Sequence, residues 1–275
     1  MTNLPPVDWQ RLEFTCSHEA DRLPKPDQQA DEWYVRANEL YRYGIKRDDE
    51  SALKQSVELL MKASELGHVK AMNNLSKSYL DGDGIAQSDA KAVAWIEELI
   101  KRNIGMGYYQ MGVFLQQGIG VKQDRKAALT YFRKAADLGN AQGQVVSGKK
   151  ISEAVAQSSA EEKERGFAIS RAMLTCALEQ GLAEAGYELG FQYAGFEKKP
   201  AEALQAFQAA AKLGHNQSLF TLRSIFADGE YGIAKDATRA ACYKRLSDES
   251  DEDKTKKFPN INIICPLPPQ KMPGT

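Results

Sequence analysis

Small and apolar residues recur along the chain in one repeated phrase. It opens on a small or aromatic residue, places further packing residues four and eight positions later, and reaches a turn residue after eleven. The phrase starts at Trp33 with Ala37, Tyr41 and Gly44, at Ala71 with Leu75, Tyr79 and Gly82, and at Gly107 with Met111, Leu115 and Gly118. It returns at Gly143 with Ser147 and Ile151, at Ala185 with Leu189, Tyr193 and Phe196, and at Ser218 with Leu222, Phe226 and Gly229. Steps of four keep these residues on one helix face, so each phrase predicts a helix with a stripe that needs cover. A second helical block follows each: Ala52 to Leu66, Ala90 to Lys101, Lys126 to Leu138, Glu162 to Gln180, Ala201 to Leu213, and Ala237 to Leu246. Gly67, Gly139, Gly181 and Gly214 close four of these blocks. Glycine there suits the left-handed backbone that ends a helix.

The unit starts are 38, 36, 36, 42 and 33 residues apart, the long step reflecting the insertion SEAVAQSSAEEKE. One such unit cannot bury its own apolar face, whereas a stack of them can, so the pattern predicts an all-α solenoid of about six helix-turn-helix repeats. Three regions follow. Residues 1–32 form a proline-containing arm with an apolar patch at Trp9 and Phe14, residues 33–247 form the repeat array, and residues 248–275 form a charged linker and a proline-rich tail. Asp248 to Lys257 reads as mobile. Phe258, Ile261, Ile263 and Ile264 are too apolar for a free tail, so the arm and the tail are expected to cap the array. The closing PLPPQ reads as part of that cap in preference to a free polyproline ligand.

The net charge of -1 gives no cationic excess for phosphates, which argues against nucleic acid. No apolar run is long enough to span a bilayer, and MTNLPPVDWQ lacks the basic-then-apolar build of a signal segment. The chain is therefore cytoplasmic, or a mature form preceded by a segment absent here. Of the four cysteines, Cys176 and Cys242 fall inside helical blocks, and Cys16 and Cys265 flank the array. A Cys16–Cys265 bond would join arm to tail and imply an oxidising compartment; free thiols are the other reading.

Few residues invite chemistry. DGDG at Asp81–Gly84 lacks the further carboxylates of a calcium loop, and QGIG stands at the same place in the next unit without acids, so its glycines read as connectors. His68 and His215 follow inter-repeat glycines, where Asn140 stands in another unit, and read as polar turn residues; His18 is isolated. No nucleophile-base set, glycine loop after a strand or CxxC pair is present, so neither catalytic residues nor a metal or other cofactor is expected.

The phrase AMNNLSKSYLDGDGI from Ala71, its echo GYYQMGVFLQQGIGV from Gly107, and the block KAALTYFRKAADLGNAQ from Lys126 resemble the Sel-1-like repeat family, relatives of tetratricopeptide repeats. The resemblance covers roughly Trp33 to Ser247 and implies antiparallel helix pairs in a right-handed superhelix. The flanks EFTCSHEADRLPKPDQQADEWYVRANELY and FPNINIICPLPP look like a bacterial group of such proteins encoded beside type VI secretion lipase effectors of the phospholipase class. That group implies an immunity partner, commonly periplasmic, which binds and blocks its effector. A non-inhibitory scaffold or effector-loading adaptor is the alternative.

In arrays of this kind the first helices line the concave face. Positions two, six and nine of each unit would then point away from the packing stripe. They include Glu39, Arg42, Asn73, Lys77, Tyr109, Gln116, Tyr187, Phe191, Phe220 and Ser224, with Val35, Val113, Val145 and Lys149. The aromatic members would make good anchors, because they bury a large area at small entropic cost.

Overall fold

The computed structural model describes Leu4 and residues 13–269, which contain helices and no strand. The α-helices are α1 (Gln28–Arg47), α2 (Glu50–Glu65), α3 (Val69–Asp81), α4 (Asp89–Lys101), α5 (Gly105–Gln117), α6 (Arg125–Asp137), α7 (Ala141–Val155), α8 (Ala160–Glu179), α9 (Ala183–Phe191), α10 (Pro200–Lys212), α11 (Asn216–Ser224), α12 (Ala237–Glu252) and α13 (Ile261–Ile264). The even-numbered helices through α12 begin within two residues of the blocks read from the pattern. The packing stripe is buried as its spacing requires: Ala37, Leu75, Met111, Ile151, Ala185 and Leu222 expose no surface. The insertion is absorbed by a longer α7 and α8, and α8 opens on a reciprocal Ser159–Glu162 capping box.

Many helix starts have a local cause. Asp49, Asp124 and Asp236 cap α2, α6 and α12 by accepting backbone N–H groups. The polar residues after the inter-repeat glycines do the same for first helices. His68 Nδ1 accepts the Ala71 N–H (3.1 Å), Asn140 Oδ1 the Gly143 N–H (2.9 Å), and His215 Nδ1 the Ser218 N–H (3.2 Å). Where the glycine is missing after α4, Asn103 takes the left-handed backbone at φ 56°.

The chain divides into two compact units. In the first, Ser17–Gly143, helices α1 to α6 pack in sequence order around Ala37, Val57, Leu60, Leu75 and Tyr79. Buried hydroxyls tie helix pairs together: Ser56 donates to the Ala37 carbonyl (2.8 Å) and Ser76 to that of Ala92 (2.9 Å). Glu19 anchors the arm here. Its carboxylate accepts the Met106 N–H at the start of α5 (2.5 Å) and the Asn140 amide (2.7 Å), while burial holds its pKa above the usual carboxylate value. Phe14 is half-buried, and Trp9 lies outside the described residues.

The second unit holds residues 13–16 and 144–269. Here α8 to α12 pack in order, and α13 folds onto α10. Its core joins Phe207, Leu219, Phe226, Tyr243, Phe258, Ile261 and Cys265, so tail residues are part of it. Full burial of a side chain such as Phe207 contributes about 1.5–3 kcal/mol. The Cys265 carbonyl accepts from Gln208 (2.8 Å) and from the Tyr243 hydroxyl (2.9 Å). Ile263 and Ile264, expected to be buried with the tail, are exposed. Gln270 lies outside the described residues.

Three expectations are corrected. First, the Cys16–Cys265 bond is not formed. Cys16 bonds Cys176 on α8 and Cys265 bonds Cys242 on α12, with Cα separations of 5.7 and 5.9 Å. The tail folds back beside α12 and so meets the helical cysteine first. Second, the segment read as mobile from Asp248 is helical to Glu252, where Arg245–Glu249 and Lys244–Asp248 pairs stand one turn apart. Third, the fifth unit buries Ala185 and Leu189 of its stripe but leaves Tyr193 only half-buried. A π-helical segment, Gln192–Glu197, continues α9 and shifts the register, so Gln192 and Ala194 are buried while Phe196 is 44 % exposed.

Candidate protein-binding surface

In the first unit the expected binding positions differ in accessibility. Glu39 is exposed and pairs with Arg36 (2.9 Å), and exposed Arg42 donates to the Asn38 carbonyl (3.1 Å). Asn73 is half-buried. Exposed Lys77 holds its ammonium 6.0 Å from the centre of the Tyr41 ring, whose hydroxyl donates to Asp83 (2.8 Å). Burial and the adjacent carboxylates push the Tyr41 pKa up to about 12. Tyr109 is half-buried against Phe132, with ring centres 5.6 Å apart, and Gln116 is exposed. Val35 is exposed and Val113 half-buried.

In the second unit the aromatic positions divide. Tyr187 and Phe191 are half-buried and lean on the core, with ring centres 6.0 and 5.3 Å from Phe207. Part of each side chain therefore serves packing. Phe220 is 48 % exposed with the Arg223 guanidinium 5.9 Å from its ring, and Ser224 is half-buried. Val145, expected to face outward, is buried.

The π-helical segment brings forward a residue the pattern had assigned to the turn. It is pinned from inside. Gln192 donates to the Phe167 carbonyl (3.0 Å) and to Glu197 (2.9 Å), and the buried Glu197 carboxylate also pairs with Arg171 and with Lys199 (2.8 Å). A network in which buried polar groups are mutually satisfied fixes one conformation. On its outer side stands Phe196, stacked on Phe167 at 5.8 Å. Phe196 and Phe191 wall a cavity of about 260 Å3, floored by Leu174, with Lys149, Glu153 and Glu188 among its lining. Lys149 and Glu188 pair at 2.8 Å, and that bond is the main reason the Lys149 pKa is raised. The sequence signal for this site is weak: a Gln and a Glu flanking Tyr-Ala-Gly-Phe.

A larger cavity of about 670 Å3 lies beside the C-terminal tail, lined by Leu204, Phe226, Ile233, Leu267 and Pro268. Its Arg239 is already engaged by Asp236 and the Pro266 carbonyl (2.8 Å). The turn histidines His68 and His215 act as helix caps, and no helix among the described residues is long and apolar enough to cross a membrane.

Residues 34–68, 69–103 and 105–140 each match the Sel1 repeat family. Part of the chain is 28 % identical over 115 residues to protein sel-1 homolog 2 of Homo sapiens; the match spans 40 % of this chain and only 17 % of that protein. Solved structures are similar over nearly the whole chain. Immunity protein Pa5087 of Pseudomonas aeruginosa is 31 % identical, with a TM-score of 0.64 over 94 % of this chain and 95 % of its own. Immunity protein PA5088 of the same organism is 30 % identical, with a TM-score of 0.70 over 93 % and 94 %. PA5086, also from that organism, is 32 % identical, with a TM-score of 0.67 over 94 % and 96 %. Helix pairs, buried stripe and full-length similarity together make this chain a member of the Sel1-repeat family, with immunity proteins among its structural relatives.

Proposed function

We propose that this chain is an immunity protein that binds a cognate type VI secretion lipase or phospholipase effector and neutralises it by occlusion, without catalysis of its own. The observation that carries the reading is end-to-end similarity, at 30 and 31 % identity, to two immunity proteins. The non-repeat ends supply the narrower effector class through the resemblance of their sequences. A periplasmic site of action is supported by the cysteines, all four of which are bonded, since such bonds persist in oxidising compartments.

The test is to look for a lipase-class reading frame beside the gene for this chain and co-purify its product with the chain, followed by a lipase assay of the complex. A stable complex with abolished activity is the expected result. A stable complex that keeps full activity would leave the adaptor reading and end the inhibitory one. Failure to associate would end both for that effector.

A further inference from the structure

We propose that the groove between α7 and α9 is built to receive an arginine side chain of the partner. The proposal rests on the immunity reading for the identity of that partner and adds the chemistry by which one contact is made.

Shape is the first argument. The cavity, about 260 Å3, is large enough to admit a single long side chain, and Phe191 and Phe196 form part of its wall. Flat π faces attract a guanidinium and tolerate the apolar stem that carries it. The Phe196 wall is held by buried Gln192 and the Glu197 carboxylate together with half-buried Arg171, so a partner pays little to order it.

Charge is the second. Glu153, Glu184 and Glu188 all act on Lys149, and Lys150 pairs with Glu153 at 2.5 Å. Among these five groups carboxylates outnumber ammonium groups, and the bond to Glu188, helped by the field of the three, stabilises the cationic form of Lys149. In the free chain Lys149 therefore holds the place of a cation against Glu188. Its ammonium is a point charge that cannot form a planar fork to a carboxylate; an arginine can do that and stack on a ring at once. The partner's arginine displaces Lys149 from Glu188, and Lys149 moves into water, where it is already 47 % exposed.

The probe is the blocked pentapeptide acetyl-Gly-Leu-Arg-Leu-Gly-amide, titrated into the full chain while the Gly195 and Phe196 amides are followed by NMR. A second peptide carries citrulline, the neutral isostere, in place of arginine. Saturable shifts are expected with the arginine peptide, weakened about tenfold by citrulline or by Glu188→Gln, in line with loss of a charge-assisted contact. Phe196→Ala should weaken binding severalfold, and Lys149→Met should strengthen it by vacating Glu188. Circular dichroism checks that each variant keeps its helices. Absence of saturable shifts, equal shifts with citrulline, or no gain in Lys149→Met would overturn the proposal. If the effector complex forms and is indifferent to Glu188→Gln and Phe196→Ala, this contact is wrong while immunity stands. If the peptide binds as described and the effector does not, the groove stands and the immunity reading falls.

Discussion

Gly84 and Gly181 share a left-handed backbone, at φ 70° and 85°, yet their surroundings differ sharply. A Cβ on Gly84 would lie 2.3 Å from the Leu53 carbonyl carbon and 2.4 Å from its oxygen, whereas one on Gly181 would meet nothing within 4 Å. Gly84→Ala combines backbone strain with a clash against rigid main chain, so it should cost about 3 kcal/mol or more. Gly181→Ala carries only the backbone term, about 1 kcal/mol. Urea denaturation of the two variants tests this; equal losses would mean the loop around Gly84 yields freely. The DGDG motif thus has a structural explanation in its second glycine, which lets one repeat's turn lie on the preceding repeat's helix.

Helices of this array start on side chains that the repeat does not keep constant. His215 caps α11 through Nδ1, which must be unprotonated to accept the Ser218 N–H (3.2 Å). Burial lowers its pKa below the usual imidazole value, with Glu188 opposing in part. The folded chain therefore binds this proton less tightly than the unfolded chain. The stabilisation is complete above the ordinary imidazole value and is lost as pH falls through the lowered one. His215→Asn, which copies the Asn140 cap, should keep stability near pH 8 within about 0.5 kcal/mol and remove this share of the acid loss. His215→Ala should lose about 1 kcal/mol at pH 8. Urea midpoints at pH 8 and pH 5 read both effects; an unchanged acid slope in the Asn variant would assign that slope to other groups.

At the scale of the molecule, the non-repeat ends are joined to the second unit by covalent bonds. The Cys242–Cys265 bridge closes 23 residues and the Cys16–Cys176 bridge 160. By loop-closure entropy alone, paired Cys→Ser replacement should cost about 3 kcal/mol for the short loop and about 5 kcal/mol for the long one. Thermal denaturation of the two double variants should show the larger loss for Cys16→Ser/Cys176→Ser. Proteolysis without reductant should yield the two linked peptides; a Cys16–Cys265 peptide would refute this connectivity. The tail is more than a tether, since Phe258 and Ile261 lie in one core with Phe207 and Tyr243. Reduction should expose that apolar surface, measurable as dye binding.

Amino-acid order alone carried the repeat architecture, because a four-residue step places side chains on one helix face wherever it occurs. It located the buried stripe from Ala37 to Leu222 and the start of the second helix in each pair. It placed polar residues at the turns that prove to be caps. Tertiary structure decided what depends on neighbours distant in sequence. The partner of Cys265 follows from how the tail folds beside α12, and that of Cys16 from the arm's place on α8. The outward turn of Phe196 follows from buried Gln192 and Glu197 finding Phe167 and Arg171, an energy that no local periodicity contains. Tyr187 and Phe191 looked free by spacing and lean on Phe207 because α10 lies beneath them. Helix periodicity is a local property of the backbone; the register shift, the bridges and the groove come from contacts between helices, which only folding brings together.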